Sequence, residues 1–199
     1  MDIVGLVEHG RELRYSRAEA KEGRTVFTNP YPDGPGALTG FRYLTALALI
    51  RPRAQLLERL GEDGDYILAR DYDVEVVVDG EARAITAPRG LITDLTSVPW
   101  IFRWYVGRVG PWLEAAIIHD WLYVAWQVVG RRPSEADRAF ADRVMLAAME
   151  AAGVSPLRRR AIYLSVRLFG GRTFFERNDR LFADLGDDAY DVPMVLPVS

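Results

Sequence analysis

The pattern of apolar and polar residues predicts strands in the middle of the chain. The segments 66–68 and 74–78 are rich in apolar and β-branched residues, which is typical of buried strands. The dipeptide Asp79-Gly80 follows at once and favours a two-residue hairpin turn. Residues 84–87 would then form the return strand. We therefore expect a small antiparallel sheet within residues 65–92.

Beyond residue 97 the pattern becomes helical. The segment 112–129 is apolar over most of its surface, which predicts a central buried helix. A second helix is expected from 133 to 152, and a third from 155 to 169. Polar capping residues or prolines open these segments, and glycines follow their ends. Ser97-Val98-Pro99 also has the pattern of a helix start.

The first third of the chain has weaker signals. The proline- and glycine-rich segment 29–36 predicts an exposed loop or arm. Apolar residues at helical spacing predict a short helix within 38–60. We divide the chain into an N-terminal extension (1–62) with this arm and helix, a core domain (63–172) of sheet then helices, and an acidic, proline-containing tail (173–199). The expected fold class is α+β, a small antiparallel sheet followed by a three-helix unit.

Composition narrows the function classes. The 199 residues are 49% hydrophobic and 27% charged, which is enough to fill a core. The net charge of −3 argues against a nucleic-acid partner. The chain has no cysteine, so it cannot form a disulfide or a thiolate metal site. We expect no signal peptide and no transmembrane segment, because the apolar runs are short.

The reactive side chains concentrate at His119 and Asp120. Tyr123 lies one helical turn after His119 and shares its face. Asp137 follows a short loop, which predicts an antiparallel helix hairpin. We expect Asp137 to accept from one imidazole nitrogen of His119 and Tyr123 to donate to the same carboxylate, leaving the other nitrogen to take a proton from water. Asp120 could hold a hard cation.

Structural explanations compete with each of these roles. The His-Asp pair can be a buried polar network, and Asp137 can complement the dipole of its own helix. Asp94 and Ser97 can cap a helix, or Asp94 can act as a further ligand or proton acceptor and Ser97 as a nucleophile. Backbone carbonyls near Gly107 and Gly110 can coordinate a cation, or these glycines can form a plain connection. Only two histidines occur in the chain, which favours a role for the one flanked by carboxylates.

Residues from about 65 to 171 resemble a bacterial and phage family known only as a domain of unknown function, DUF1353. Four ordered blocks carry the resemblance: 90–99 (GLITDLTSVP), 115–123 (AAIIHDWLY), 134–140 (SEADRAF) and 161–170 (AIYLSVRLFG). The resemblance implies a phage or prophage origin and no particular activity. It also implies a location in a phage virion or in the bacterial cytoplasm.

A second resemblance is to the calcium-dependent phospholipases A, and especially to their disulfide-free viral relatives. The run His119-Asp120-x-x-Tyr123, followed by Ala136-Asp137 on the next helix, is similar to their catalytic helices. The resemblance implies that His119 activates water, that Asp120 binds Ca2+, and that Asp137 with Tyr123 orients His119. Calcium would polarise the ester carbonyl.

Two functions from different classes remain open. In the first, the protein is a phage-encoded, metal-assisted hydrolase that acts on a lipid or another ester. In the second, it is a non-enzymatic virion or tail-associated accessory protein, and the His-Asp-Tyr-Asp cluster is structural. The arm at 29–36 and the tail would then dock on other virion proteins, since extended segments become ordered on a partner.

Overall fold

The computed structural model describes residues 27–50, 66–93, 112–179 and 181–183 of the chain. These residues form six strands and four helices. The strands are β1 (Leu38–Tyr43), β2 (Leu49–Ile50), β3 (Tyr66–Leu68), β4 (Tyr72–Val78), β5 (Glu81–Ala87) and β6 (Ile92–Thr93). The helices are α1 (Leu113–Val128), α2 (Glu135–Ala151), α3 (Pro156–Phe169) and α4 (Gly171–Phe175). The α+β fold class is confirmed.

The strands form two small antiparallel sheets with the orders β1-β4-β5 and β2-β3-β6. The predicted hairpin joins β4 to β5. Asp79 and Gly80 have φ angles of 53° and 85°, as a type I′ turn requires. Along β4 the alternate residues Tyr72, Val74 and Val76 are buried, so one face of this sheet lies on the core.

The three long helices begin and end close to their predicted limits. Ser134 precedes α2 and its hydroxyl accepts from the backbone N–H of Asp137 at 3.1 Å. Gly153 follows α2 with a φ of 75°, a conformation that favours glycine. Every residue of α1 is at least partly buried, and its apolar side chains pack in one cluster with those of β4 and β5. The prediction of a central buried helix is therefore confirmed.

The short helix predicted within 38–60 is wrong over residues 38–50. Residues 38–43 form β1, which pairs with β4, and residues 49–50 form β2, which pairs with β3. The leucine and alanine spacing at 44–50 suits a helix, but pairing with strands far along the chain overrides this local preference. Residues 51–60 lie outside the described part of the chain.

The arm at 29–36 is exposed only in part. Asp33 and Gly34 are exposed, whereas Tyr31 is completely buried and the prolines on both sides of it are buried too. The Tyr31 hydroxyl donates to the carbonyl of Leu122 in α1 and accepts from the N–H of Trp126 at 3.2 Å. The predicted exposed loop is therefore only partly exposed, because Tyr31 anchors it to the central helix.

The limits of the three predicted domains stay predictions. Residues 38–50 nevertheless share both sheets with residues beyond 62, so this part of the N-terminal extension contributes to the fold. Among the described helices, none combines the length and the apolar content needed to cross a bilayer.

Candidate functional site

The hairpin of α1 and α2 creates the candidate site. The helices run antiparallel, since positions earlier in α1 meet positions later in α2. His119 contacts Asp142, and Ala115 packs in a cluster with Met145 and Ala148. The predicted antiparallel arrangement is therefore confirmed. It brings the middle of α1, which carries the His-Asp dipeptide, against the middle of α2.

The imidazole of His119 is held by a carboxylate from the neighbouring helix. Its Nε2 lies 2.9 Å from Oδ1 of Asp142. The hydroxyl of Tyr123 donates to the same oxygen at 2.7 Å, and the rings of His119 and Tyr123 lie 4.0 Å apart between centroids. Two residues on one face of α1 therefore converge on a single carboxylate oxygen of α2.

The second carboxylate oxygen of Asp142, Oδ2, lies close to two positively charged side chains. Nη1 of Arg167, from α3, donates to Oδ2 at 2.7 Å, and Nη1 of Arg138 lies 3.9 Å from the same oxygen. Burial by itself raises the pKa of Asp142, but the hydrogen bonds from His119 and then from Arg167 outweigh it. The pKa of this carboxyl therefore lies below its usual range. The hydrogen bond to Asp142 likewise raises the pKa of Arg167.

These contacts determine which nitrogen of His119 carries the proton. An ionised carboxylate only accepts hydrogen bonds, so Nε2 must donate to Asp142. In the neutral ring Nδ1 is then unprotonated, and within the described residues it has no hydrogen-bond partner. The side chain of His119 is 9% exposed, whereas that of Asp142 is completely buried. The arrangement can hold an imidazole in one tautomer and leave a basic nitrogen at its other side.

Tyr123 is itself fixed by its neighbours. Burial, followed by the negative charge of Asp142, raises the pKa of Tyr123, so its hydroxyl keeps its proton and remains a donor. A β-carbon added at Gly170, between α3 and α4, would lie 2.6 Å from the Tyr123 hydroxyl oxygen. Glycine therefore allows the end of α3 to approach this tyrosine closely.

The predicted partner of His119 is wrong: Asp142, and not Asp137, holds the ring. Asp137 accepts from Nη2 of Arg131 at 3.0 Å and from the hydroxyl of Ser134 at 2.8 Å. It lies only two residues after the start of α2, whereas His119 lies nine residues before the end of α1. Asp137 therefore stays near the loop, where it stabilises the helix start.

A comparison with protein families gives a match to one family model, described as a protein of unknown function (DUF1353), over residues 68–166. The chain belongs to the DUF1353 family. The predicted resemblance, which covered about 65 to 171, is thereby confirmed. No significant match was found among curated proteins or among solved structures. The DUF1353 match contains His119, Tyr123 and Asp142, and it ends one residue before Arg167.

The structure describes the other predicted site residues only in part. Asp120 follows His119 on α1, and its Oδ2 accepts a hydrogen bond from the hydroxyl of Thr93 in β6. The remaining candidates, Asp94, Ser97, Gly107 and Gly110, lie outside the described residues.

The described residues do not make a calcium site by themselves. Calcium takes six to eight oxygen ligands, as a rule including several carboxylates. In the described ranges no three acidic or histidine side chains come together in a way that could hold a metal ion. Asp120 offers one carboxylate and Thr93 one hydroxyl, which do not amount to a calcium ligand set. The predicted calcium therefore stays a prediction.

Sequence reasoning missed two residues of the site. Asp142 could have been found from the hairpin itself: it lies seven residues after the start of α2, close to the nine that separate His119 from the end of α1. Arg167 is one of five arginines within residues 158–172, and nothing in the sequence distinguishes it from the other four. Its distinguishing contact, with a carboxylate 25 residues earlier, depends on how α3 packs on α2.

Proposed function

We propose that the protein is a hydrolase in which His119 acts as the general base and Asp142 positions it. The observation that carries this proposal is the shared Asp142 oxygen, 2.9 Å from Nε2 of His119 and 2.7 Å from the Tyr123 hydroxyl. A carboxylate that fixes the tautomer and orientation of an imidazole is a recurrent part of water-activating sites. The phospholipase resemblance assigns this same role to a carboxylate of the next helix.

The chemistry would proceed in two steps on an ester. A water molecule attacks the carbonyl carbon while its proton passes to Nδ1 of His119. The imidazolium that forms is stabilised by the negative charge of Asp142, which is present before the reaction begins. The tetrahedral intermediate then collapses, the bond to the alcohol oxygen breaks, and that oxygen takes the proton back from His119. Acid and alcohol are the products, and the histidine returns to its neutral tautomer.

The test is ester hydrolysis by the purified chain and three variants. A nitrophenyl ester and a phospholipid vesicle are the two substrates. We expect His119→Gln to lower the rate by about 10²–10⁴, the usual contribution of a general base. Asp142→Asn should also lower it, because the asparagine no longer enforces the tautomer. Asp137→Asn is the matched control and should stay within about twofold of the wild type, since Asp137 does not contact His119.

Wild-type activity on one substrate with full activity in His119→Gln would contradict the proposed site. Inactivity on both substrates would favour the second candidate.

The phospholipase resemblance also predicts that the protein binds Ca2+. No step is derived through it, because among the described residues no three acidic or histidine side chains come together in a way that could hold a metal ion. Calorimetric titration with Ca2+ should give binding that is lost in Asp120→Asn, if Asp120 and residues outside the described ranges form the site. No heat of binding in the wild type would remove calcium from the proposal and leave the base in place.

The second candidate is a non-enzymatic phage protein, a virion or tail-associated component, in which the cluster is structural. The complete burial of the Asp142 side chain and its ion pair with Arg167 support the structural role of the cluster, because they suit a network that fixes how three helices pack. In that case His119→Gln would lower the free energy of unfolding, with no activity to lose.

A further inference from the structure

One face of α3 carries large apolar side chains that nothing in the described part of the chain covers. Leu157, Leu164 and Leu168 are 75%, 56% and 74% exposed. They occupy positions i, i+7 and i+11, which project from one side of an α-helix within about 40° of each other. We call these three residues the leucine face.

The core side of α3 is a different surface. Ile162 and Val166 are partly buried and pack against the cluster of Met145, Met149 and Val154. The helix therefore already has its apolar contact with α2, and the leucine face is not required for that packing. Isolated exposed leucines are ordinary, but three in a row along one helix mark an interaction surface.

The charge around the leucine face is basic on balance, although three of the nearby arginines form ion pairs: Arg159 with Glu150, Arg167 with Asp142 and Arg172 with Glu176. Residues 151–175 contain five arginines and neither aspartate nor glutamate, although the whole chain has a net charge of −3. Arg160 is exposed and lies between Leu157 and Leu164 on the helix. At the C-terminal end, Phe169 and Phe175 are 58% and 41% exposed and add apolar area.

We propose that the leucine face docks on an anionic lipid surface. A helix with leucines on one side and arginines beside them matches the interface of a bilayer, where acyl chains meet negatively charged headgroups. A second copy of the chain fits less well, because pairing two leucine faces would bring the exposed Arg160 side chains of both copies together. The proposal does not depend on hydrolysis, and the test below measures no activity.

The experiment is cosedimentation of the 199-residue chain with vesicles. Vesicles of phosphatidylcholine alone are compared with vesicles that contain one-third phosphatidylglycerol. We expect at least about tenfold tighter binding to the anionic vesicles, weakened by added salt. The double variant Leu164→Gln/Leu168→Gln should bind anionic vesicles about tenfold more weakly or worse, because it removes the apolar surface that the two leucines would bury in the membrane. Glutamine keeps the helix propensity, and the leucines are exposed, so the variant should fold.

A pair of charge variants provides the matched control. Arg160→Glu should weaken binding by about tenfold, since it reverses a charge beside the leucines. Arg132→Glu makes the same change at an exposed position between α1 and α2, and should stay within about twofold of the wild type. Absence of binding to anionic vesicles, or equal binding by the leucine variant, would overturn the proposal. A dimer that the leucine variant dissociates, without vesicle binding, would assign the face to a second copy.

Discussion

At the scale of single residues, the carboxylate of Asp142 links three helices. It accepts from His119 and Tyr123 of α1 and from Arg167 of α3, while it belongs to α2. Because its pKa is lowered in the folded protein, its ionised form contributes to the free energy of unfolding at neutral pH. That contribution is complete above the pKa of the unfolded chain and is lost as the pH falls through the folded value.

The variant Asp142→Asn tests this contribution. We expect a loss of about 3 kcal/mol at neutral pH, because the change removes a buried charge that faces two arginines. The difference from the wild type should shrink as the pH falls below the ordinary pKa range of an aspartate and on through the lower pKa of folded Asp142, where this carboxylate takes up a proton. Urea unfolding of both proteins across this range measures it. A difference that stays constant with pH would contradict the assigned ionisation.

The hydroxyl of Tyr31 also connects separate parts of the fold. It bridges the carbonyl of Leu122 and the N–H of Trp126, which lie one helical turn apart in α1. Tyr31→Phe should cost about 1 kcal/mol, since the two backbone groups can bond to each other. Tyr31→Ala should cost about 4 kcal/mol, because it also removes a completely buried ring. Equal losses in chemical unfolding would contradict this division between hydroxyl and ring.

At the scale of elements, the corner between α3 and α4 controls how closely α3 approaches α1. Gly170→Ala should cost about 1–3 kcal/mol, because the new methyl group would meet the Tyr123 hydroxyl and the carbonyl of Val166, each at 2.6 Å. Gly153→Ala is the control. Its φ is 75° and the space around it is open, so only a backbone cost of about 1 kcal/mol is expected.

Thermal unfolding followed by circular dichroism measures both glycine variants. A larger loss for Gly153→Ala than for Gly170→Ala would mean that the close approach to Tyr123 does not constrain the corner.

Most of the elements that are stabilised by interactions between residues close in sequence could be predicted from the sequence. The hairpin of β4 and β5 follows from Asp79-Gly80, and α2 from its Ser134 cap and Gly153 terminator. The strand β1 was missed because it is stabilised by pairing with β4, some thirty residues further on. The sequence predicts the type of site, a histidine held by a carboxylate from the neighbouring helix. It does not identify the right carboxylate: Asp142 lies five residues after Asp137, and only the register of the two helices distinguishes them.

At the scale of the whole molecule, the fold extends beyond the family match. The DUF1353 match begins at residue 68, yet β1 and Tyr31 precede it and contact β4 and α1. A chain that starts at residue 63 should therefore fail to fold cooperatively, since β4 loses a neighbouring strand and α1 loses a buried ring. Thermal unfolding of the shortened chain and of the 199-residue chain, followed by circular dichroism, measures this difference. A cooperative melt of the shortened chain would show that residues before 63 are dispensable.

The proposed role of His119 as a base depends on which of its two ring nitrogens carries the proton. The chain has two histidines, so a His9→Gln variant labelled with 15N in histidine reports on His119 alone. We predict that, at a pH at which the ring of His119 is neutral, NMR shows a protonated Nε2 and an unprotonated Nδ1, and that Asp142→Asn removes this preference. A proton on Nδ1 with Nε2 bare would contradict it, because His119 would then neither donate to Asp142 nor hold a basic nitrogen ready for water.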